Sequence, residues 1–404
     1  MDGRRFIVAG SLIDGSGAEA RRNVFLAVQS GIITAIGSAA DLPCPNGTAV
    51  DDFSHCTIVP ALVDCSVSLA RSPSVDAQVR LAAEEAGIAQ KAALLERHIS
   101  YCHMHGVLGV AECEDISDVL EHYQRERASG GMIDIRTPAA FSGTGDDCAA
   151  GIPAGGDYLK IHYSPDIDNE DAAPVRLTLE NLRGILQHRG QRKAVVVANG
   201  RQPVEEALVA GCDAIEQGYG MGEANLREMA SRGVLWIPGV LRARNALLSA
   251  GSGGSVCCRF SLRYVAPGKA DPGAEAFWKK ALAGQLAQLR LARKLGVKTL
   301  IGSGAGSVGI LHGESMVEEM KLFIKAGYPL AEAMCCASEN GVRFFGMEKL
   351  GVLKKGRAAT FLITRGSVQQ LPRKLAYLEG IYVDGAPNMA YSKNPVKAPQ
   401  SVRH

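Results

Sequence analysis

Aromatic residues are scarce in this chain, at 5% of 404 positions, and no sign of charge dominates, with 44 Lys and Arg against 42 Asp and Glu. The near balance leaves no basic arm or stripe, which argues against a nucleic-acid or anionic-membrane partner. No apolar run approaches the roughly 20 residues that a membrane-spanning helix needs. No Cys-x-x-Cys pair occurs, and the eleven cysteines are odd in number and scattered. That usage is expected of free thiols in a reducing cytoplasm rather than of a disulfide framework. The N-terminal stretch, Met1-Asp-Gly-Arg-Arg-Phe-Ile-Val, has too short an apolar run before Asp14 for a signal peptide. What is abundant is aliphatic residue and glycine. At 47% hydrophobic, 21% charged and 46 glycines, the chain can bury a large aliphatic core and turn often.

The texture changes twice along the chain. Residues 1–56 read as short strands (5–8, 24–28 and 32–36) separated by Asp-Gly, Ser-Gly and Gly-Ser turns. Residues 348–404 repeat this pattern, with strands expected at 360–363 and 380–383. Between them, residues 57–347 alternate apolar runs with amphipathic stretches. The runs fall at 57–64, 107–112, 133–141, 158–163, 193–198, 213–217, 234–238 and 298–302. Continuous apolar runs suit parallel strands covered on both faces. Helices are expected at 79–101, 116–127, 177–188, 204–210, 225–232, 275–295 and 315–325. Eight strands in this alternation predict an α/β fold, a (β/α)8 TIM barrel, with a small β-sandwich domain formed by both chain termini. Two long loops, 142–156 and 239–274, follow strands and are expected at the barrel's C-terminal mouth as lids.

Several short segments occur in a telling order. They are 23–37, Val59-Pro-Ala-Leu-Val-Asp64, Gly156-Asp-Tyr-Leu-Lys-Ile161, Gly211-Cys-Asp-Ala-Ile-Glu216, Leu311-His-Gly-Glu314, Ala337-Ser-Glu-Asn-Gly-Val-Arg343 and Leu350-Gly-Val-Leu-Lys-Lys-Gly-Arg357. Together they resemble the amidohydrolase superfamily, of the imidazolonepropionase and Xaa-Pro dipeptidase-like type, over nearly the whole chain. The resemblance implies a metal-dependent hydrolase of carbon–nitrogen bonds other than peptide bonds, and a homodimer or a complex with an active relative.

The metal-ligand positions implied by the resemblance are substituted. Where active relatives have P-G-L-I-D-x-H-x-H, this chain has Pro60-Ala-Leu-Val-Asp-Cys-Ser-Val-Ser68, so Ser66 and Ser68 stand for both histidines. The H-A-H-G stretch is Val197-Ala-Asn-Gly200, with Asn199 at the ligand position. I-E-H-G is Ile215-Glu-Gln-Gly218, with Gln217 for histidine. G-T-D-A-G is Gly302-Ser-Gly-Ala-Gly306, with Gly304 for the aspartate that would activate water. Lys160 remains where two-metal members carry a carboxylated bridging lysine. Hydroxyls, amides and a glycine are poor ligands for a divalent ion of this class, so no metal and no cofactor are expected.

Other residues could carry chemistry. Lys160 and His162 lie two apart on one strand and are expected to face the barrel interior together. Lys160 is either a base or Schiff-base amine, or a buried polar group bonded to Ser66, Ser68, Asn199 or Gln217. Cys65 is expected opposite Ser66, as an inert buried thiol. Cys113 ends a strand and either packs in the core or reaches the mouth. Cys257 and Cys258 lie in the long loop. His103-Met-His105 imitates a ligand pair, but residues i and i+2 diverge on a helix, so both should not meet one ion. His312-Gly-Glu314 is expected to shape the mouth through turns and hydrogen bonds. Asn46-Gly-Thr48 matches a glycosylation sequon that a cytoplasmic chain would not use.

Two functional readings follow. One is a pseudoenzyme that binds a small ligand or serves as a structural or regulatory subunit, its pocket built from Ser66, Ser68, Asn199, Gln217, Ser303 and His312. The other is a divergent, metal-free hydrolase of amide or lactam bonds using Lys160 and His162. A third arrangement, weak metal binding through Cys113, His162 and loop cysteines, stays open beside them.

Overall fold

The structure is a computed structural model. It describes residues 4–43, 49–125, 133–141, 155–165, 167, 177–252, 255–256, 264–265 and 272–391.

Both ends of the chain build one seven-stranded sheet. Arg5–Leu12, Arg21–Gln29, Ile32–Ser38 and Ala49–Pro60 come from the start, and Phe361–Arg365, Leu378–Val383 and Ala386–Pro387 from the end. Strand alternation sends Ile7, Val24, Leu26 and Val28 into one apolar cluster with Ile58, Phe361 and Ile363. Phe6, Phe25 and Ala27 form a second cluster. The turn at Ser30 (φ 51°) and Gly31 (φ 78°) is left-handed at both central positions, as a two-residue hairpin requires. This hairpin folds back onto the C-terminal segment: Ile33 N donates to Arg357 O (2.9 Å), Gly356 N to Ile33 O (2.8 Å) and Ala359 N to Gly31 O (2.7 Å). The sheet is thereby closed over its own core, as a small sandwich.

The barrel begins after Pro60. The strand expected at 57–64 is two: residues up to Pro60 pair with Phe361–Arg365, and the first barrel strand is Leu62–Val67. Proline lacks the N–H to continue a ladder, which accounts for the break. The second strand is Val107–Glu112. The third is interrupted at Thr137, with Asp134–Arg136 beside the second strand and Pro138–Phe141 beside the fourth. The fourth to seventh are Tyr158–His162, Ala194–Ala198, Ala214–Gln217 and Leu235–Ile237, all parallel. The segment 298–305 closes the ring. Trp236 N donates to Lys298 O (3.0 Å) and Leu300 N to Trp236 O (2.8 Å) on one side. Cys65 N donates to Ile301 O (2.9 Å) and Gly304 N to Ser66 O (2.9 Å) on the other. Gly302 is required here, because a Cβ would lie 2.7 Å from Ser66 Cβ and 2.6 Å from Ile237 Cγ2.

The outer helices follow the expected spacing, with two differences. The stretch 79–101 is two helices, Ala77–Glu84 and Ile88–Met104, separated at Gly87. The segment 239–274, expected as a loop, contains the helix Val240–Ser252, and the next helix starts at Pro272. The first turn of Val240–Ser252 is held from another element: Val240 N and Leu241 N donate to the Glu319 carboxylate at 2.8 and 2.6 Å. Among the described residues no helix is long and apolar enough to cross a membrane.

Candidate functional site

Strand ends at one mouth of the barrel bring four side chains together. Ser66 comes from the first strand, Cys113 follows the second, Lys160 lies on the fourth and Glu216 on the sixth. Lys160 Nζ is 2.7 Å from Glu216 Oε2, with both side chains buried. The same ammonium donates to Cys113 Sγ at 2.9 Å. Ser66 Oγ donates to Glu216 Oε1 at 2.8 Å and lies 3.4 Å from Cys113 Sγ.

Burial disfavours the charge on Lys160, but Cys113, Glu216 and Tyr158 outweigh it, and its pKa lies well above the ordinary lysine value. Desolvation pushes the Cys113 thiol up to about 11 against the pull of Lys160. At neutral pH Lys160 is therefore an ammonium and Cys113 a thiol. An ammonium is neither base nor nucleophile, and a thiol is a poor nucleophile.

Around this centre the other expected residues are engaged with one another. Asn199 Nδ2 donates to Gln217 Oε1 (2.7 Å) and Pro165 O (3.1 Å), and its Oδ1 accepts from Tyr219 N (3.0 Å). Gln217 has a left-handed backbone (φ 69°), held where its carbonyl accepts from Trp236 Nε1 (3.0 Å) and Gln285 Nε2 (2.6 Å). A non-glycine residue there carries strain of a kind that gathers at functional positions. Ser303 donates through both N (2.8 Å) and Oγ to the Asp64 carboxylate. Burial pushes Asp64 up to about 7. Ser68 O accepts from His312 Nε2 at 3.0 Å, and the His312 ring stacks on His98 at 3.7 Å and 14°. His98 Nδ1 donates to Leu69 O at 2.7 Å. Burial depresses both imidazoles, His98 to about 4.

His162 ends the fourth strand in register with Val197 and Glu216 and is exposed, while Lys160 is buried. Lys160 pairs with Glu216 and Cys113, where Ser66, Ser68, Asn199 or Gln217 were expected. Motif register singles out Gln217 and assigns Glu216 no role; the structure brings Glu216 to Lys160. Cys65 is buried, on the side of the helix Glu339–Phe345, where a Cβ on Gly341 would lie 2.7 Å from its sulfur. The His103 and His105 rings diverge, one to Asn388 Nδ2 (3.1 Å) and the other to Tyr101 O (2.8 Å). Cys257, Cys258, Asn46-Gly-Thr48 and residues 142–154 lie outside the described residues.

The donors do not fit a divalent ion. An ammonium stands at the centre, the Ser66 hydroxyl donates its hydrogen bond to Glu216, and the Asn199 and Gln217 amides bond each other. Among the described residues no group of three or more His, Cys, Asp or Glu is placed to hold a metal.

Also at the mouth is a cavity of about 520 Å³. None of Ser66, Ser68, Asn199, Gln217, Ser303 and His312 lines it; its walls come from Arg71, Arg80, Arg242 and Trp278 among others.

Comparison with known proteins points one way. Residues 173–396 match the model of the amidohydrolase family. Among solved structures, a Xaa-Pro dipeptidase with bound methionine is similar at TM-score 0.75 and 18% identity, covering 95% of this chain and 99% of that one. Ochratoxinase from A. niger is similar at 0.74 and 17%, covering 95% of each. Phenylurea hydrolase B is similar at 0.72 and 15%, covering 99% of this chain and 100% of that one. Comparison by sequence with curated proteins gives no match.

Proposed function

The chain belongs to the amidohydrolase family, and from that premise we propose that it is a member without metal-dependent hydrolysis, whose barrel mouth holds a small ligand. The observation that carries this reading is the buried Lys160–Glu216 ion pair. Metal-assisted hydrolysis depends on a bound cation lowering the pKa of water to about 7. Here the mouth already holds a protein ammonium, Lys160, paired with Glu216. Fold alone does not assign activity, and the loss is argued from the donors.

The same pair speaks against the metal-free hydrolase with Lys160 and His162 as its working groups. Lys160 is held protonated. The pseudoenzyme role, the homodimer and the cytoplasmic setting belong to this proposal. Mass in solution tests the dimer.

The decisive experiment is elemental analysis of protein purified without chelator, paired with assays on amide, lactam and dipeptide substrates in added Zn²⁺ or Mn²⁺. The expected result is far less than one metal per chain and no turnover above buffer. Stoichiometric metal, or turnover that rises with added ion, overturns the proposal.

A further inference from the structure

Cys113 and Lys160 meet where the barrel wall is divided. Lys160 Nζ donates to Cys113 Sγ at 2.9 Å, and Ser66 Oγ lies 3.4 Å from the same sulfur. The two residues belong to different ladders. Cys113 follows the second barrel strand, in the three-stranded sheet that ends at Asp134–Arg136. Lys160 lies on the fourth, in the five-stranded sheet that ends at Pro138–Phe141. The break at Thr137 separates these two sheets. The Lys160 side chain is 2% exposed and is held by Glu216, with Nζ 2.7 Å from Oε2. Cys113 is partly exposed, so a molecule as small as hydrogen peroxide can reach a sulfur already in contact with an amine.

We infer that Cys113 and Lys160 are a covalent modification site, joined by a sulfenamide bond between Sγ and Nζ that peroxide makes and thiols undo. In the first step the sulfur attacks the O–O bond of peroxide; the Cys113 thiol becomes a sulfenic acid and one water leaves. In the second step Lys160 Nζ passes one proton to Glu216 Oε2, and its freed lone pair attacks Sγ. The S–O bond breaks, and the oxygen takes a second proton from Nζ and departs as water. One thiol, one ammonium, one carboxylate and one peroxide thus give one S–N bond, one carboxylic acid and two waters. Sulfur loses two electrons and the peroxide oxygens gain them. Sulfenic acids condense with nitrogen in this way. Groups held in contact react as though highly concentrated, so Nζ outruns thiols that must diffuse in. Burial holds the Cys113 thiol up at about 11, so the first step is slow at neutral pH and the bond records sustained exposure to oxidant. The bond removes both charges of the Lys160–Glu216 pair and ties the second strand to the fourth across the break. The inference goes beyond the proposed function and stands on the pair alone, with or without a ligand at the mouth.

The test treats the full chain with hydrogen peroxide, blocks the remaining thiols in denaturant, digests with trypsin and maps the peptides by mass. The expected product joins the Cys113 peptide to the Lys160 peptide, with two hydrogens lost. Fragmentation places the link between those two residues, with no oxygen added at either. Trypsin no longer cuts after Lys160, because it needs the free ammonium. Dithiothreitol restores the separate peptides and the cut. Cys113→Ser, which removes the sulfur and keeps a side chain of similar size, gives no joined peptide at any dose. Lys160→Arg keeps a positive charge beside Glu216 but removes the amine. In that variant, once its far-UV spectrum is seen to match wild type, dimedone labels Cys113 at least about tenfold more than in wild type, because the sulfenic acid is no longer consumed. Four results each overturn the inference: equal dimedone labelling in the two proteins, Cys113 recovered only as sulfinic acid or mixed disulfide, Lys160 joined to another residue, or a joined peptide that keeps an oxygen between the two. The wild-type map decides the matter even where a variant fails to fold.

Discussion

Lys160 Nζ and Glu216 Oε2 lie 2.7 Å apart inside the barrel, and each is the other's charge partner. Buried charges of this kind are costly to leave single, although exchanging the whole pair for apolar residues is often tolerated. Lys160→Met and Glu216→Gln should each lower stability by about 3–5 kcal/mol. The double variant Lys160→Met, Glu216→Leu should recover most of that loss. Denaturant midpoints for the full cycle check this, and additive single effects would show that the two groups are not coupled.

Gly304 stands where the resemblance implies an aspartate, and its backbone is left-handed. Its φ is 72°, while an added Cβ would find its nearest neighbours 3.9 Å away. Space is available, and the obstacle is conformational. Gly304→Asp should cost about 1–2 kcal/mol from the left-handed backbone, and Gly304→Val more. Neither should confer metal binding. Thermal melts with and without chelator check both points, and a chelator-sensitive midpoint in Gly304→Asp would contradict the second.

The His98–His312 stack predicts an acid limb. His98 has its pKa lowered from 6.5 to about 4, chiefly by burial. Between those values the unfolded chain binds the proton and the folded chain does not. Stability from this group is therefore complete above pH 6.5 and is lost as pH falls toward 4. The loss amounts to about 3 kcal/mol for a shift of this size. His312, lowered further, extends the same trend. Denaturation of wild type and His98→Gln between pH 7 and pH 4 checks this: the gap between them should narrow, or reverse, on acidification. A constant gap would remove the imidazole from the account.

Glu319 supplies both oxygens that cap the first turn of Val240–Ser252. Glu319→Ala leaves two helix N–H groups without an acceptor in a buried place, which should cost about 2–4 kcal/mol. Glu319→Gln keeps one acceptor oxygen and should cost less. Melting midpoints provide the reading, and an unchanged midpoint in Glu319→Ala would rule out the cap.

The barrel and the terminal sheet were legible from apolar runs, turn residues and ordered motifs, because those signals are local. The divided strand at Pro60 was written in the chain as a proline but outweighed by the apolar run around it. The helix Val240–Ser252 was hidden because its acceptor lies on Glu319, far along the chain, while Gly251-Ser-Gly-Gly reads as loop. At the site, the positions of Ser66, Asn199 and Gln217 could be read from motif register. Their partners could not: the pairing of Glu216 with Lys160 joins the sixth strand to the fourth. Cys113 meets Lys160 across the ring, a contact that no sequence spacing records.

The terminal sheet has a kinetic consequence. Thr57 Oγ1 donates to Gly366 O at 2.8 Å across 309 positions of sequence. During synthesis, Ala49–Pro60 emerges long before Phe361–Arg365, the strand that covers its flank. Contacts of such separation are slow to form, and an uncovered strand edge invites pairing with another chain. The barrel, whose strands mostly pair with near neighbours in sequence, thus consolidates first, and the N-terminal strands wait with one edge bare until Phe361–Arg365 seals it.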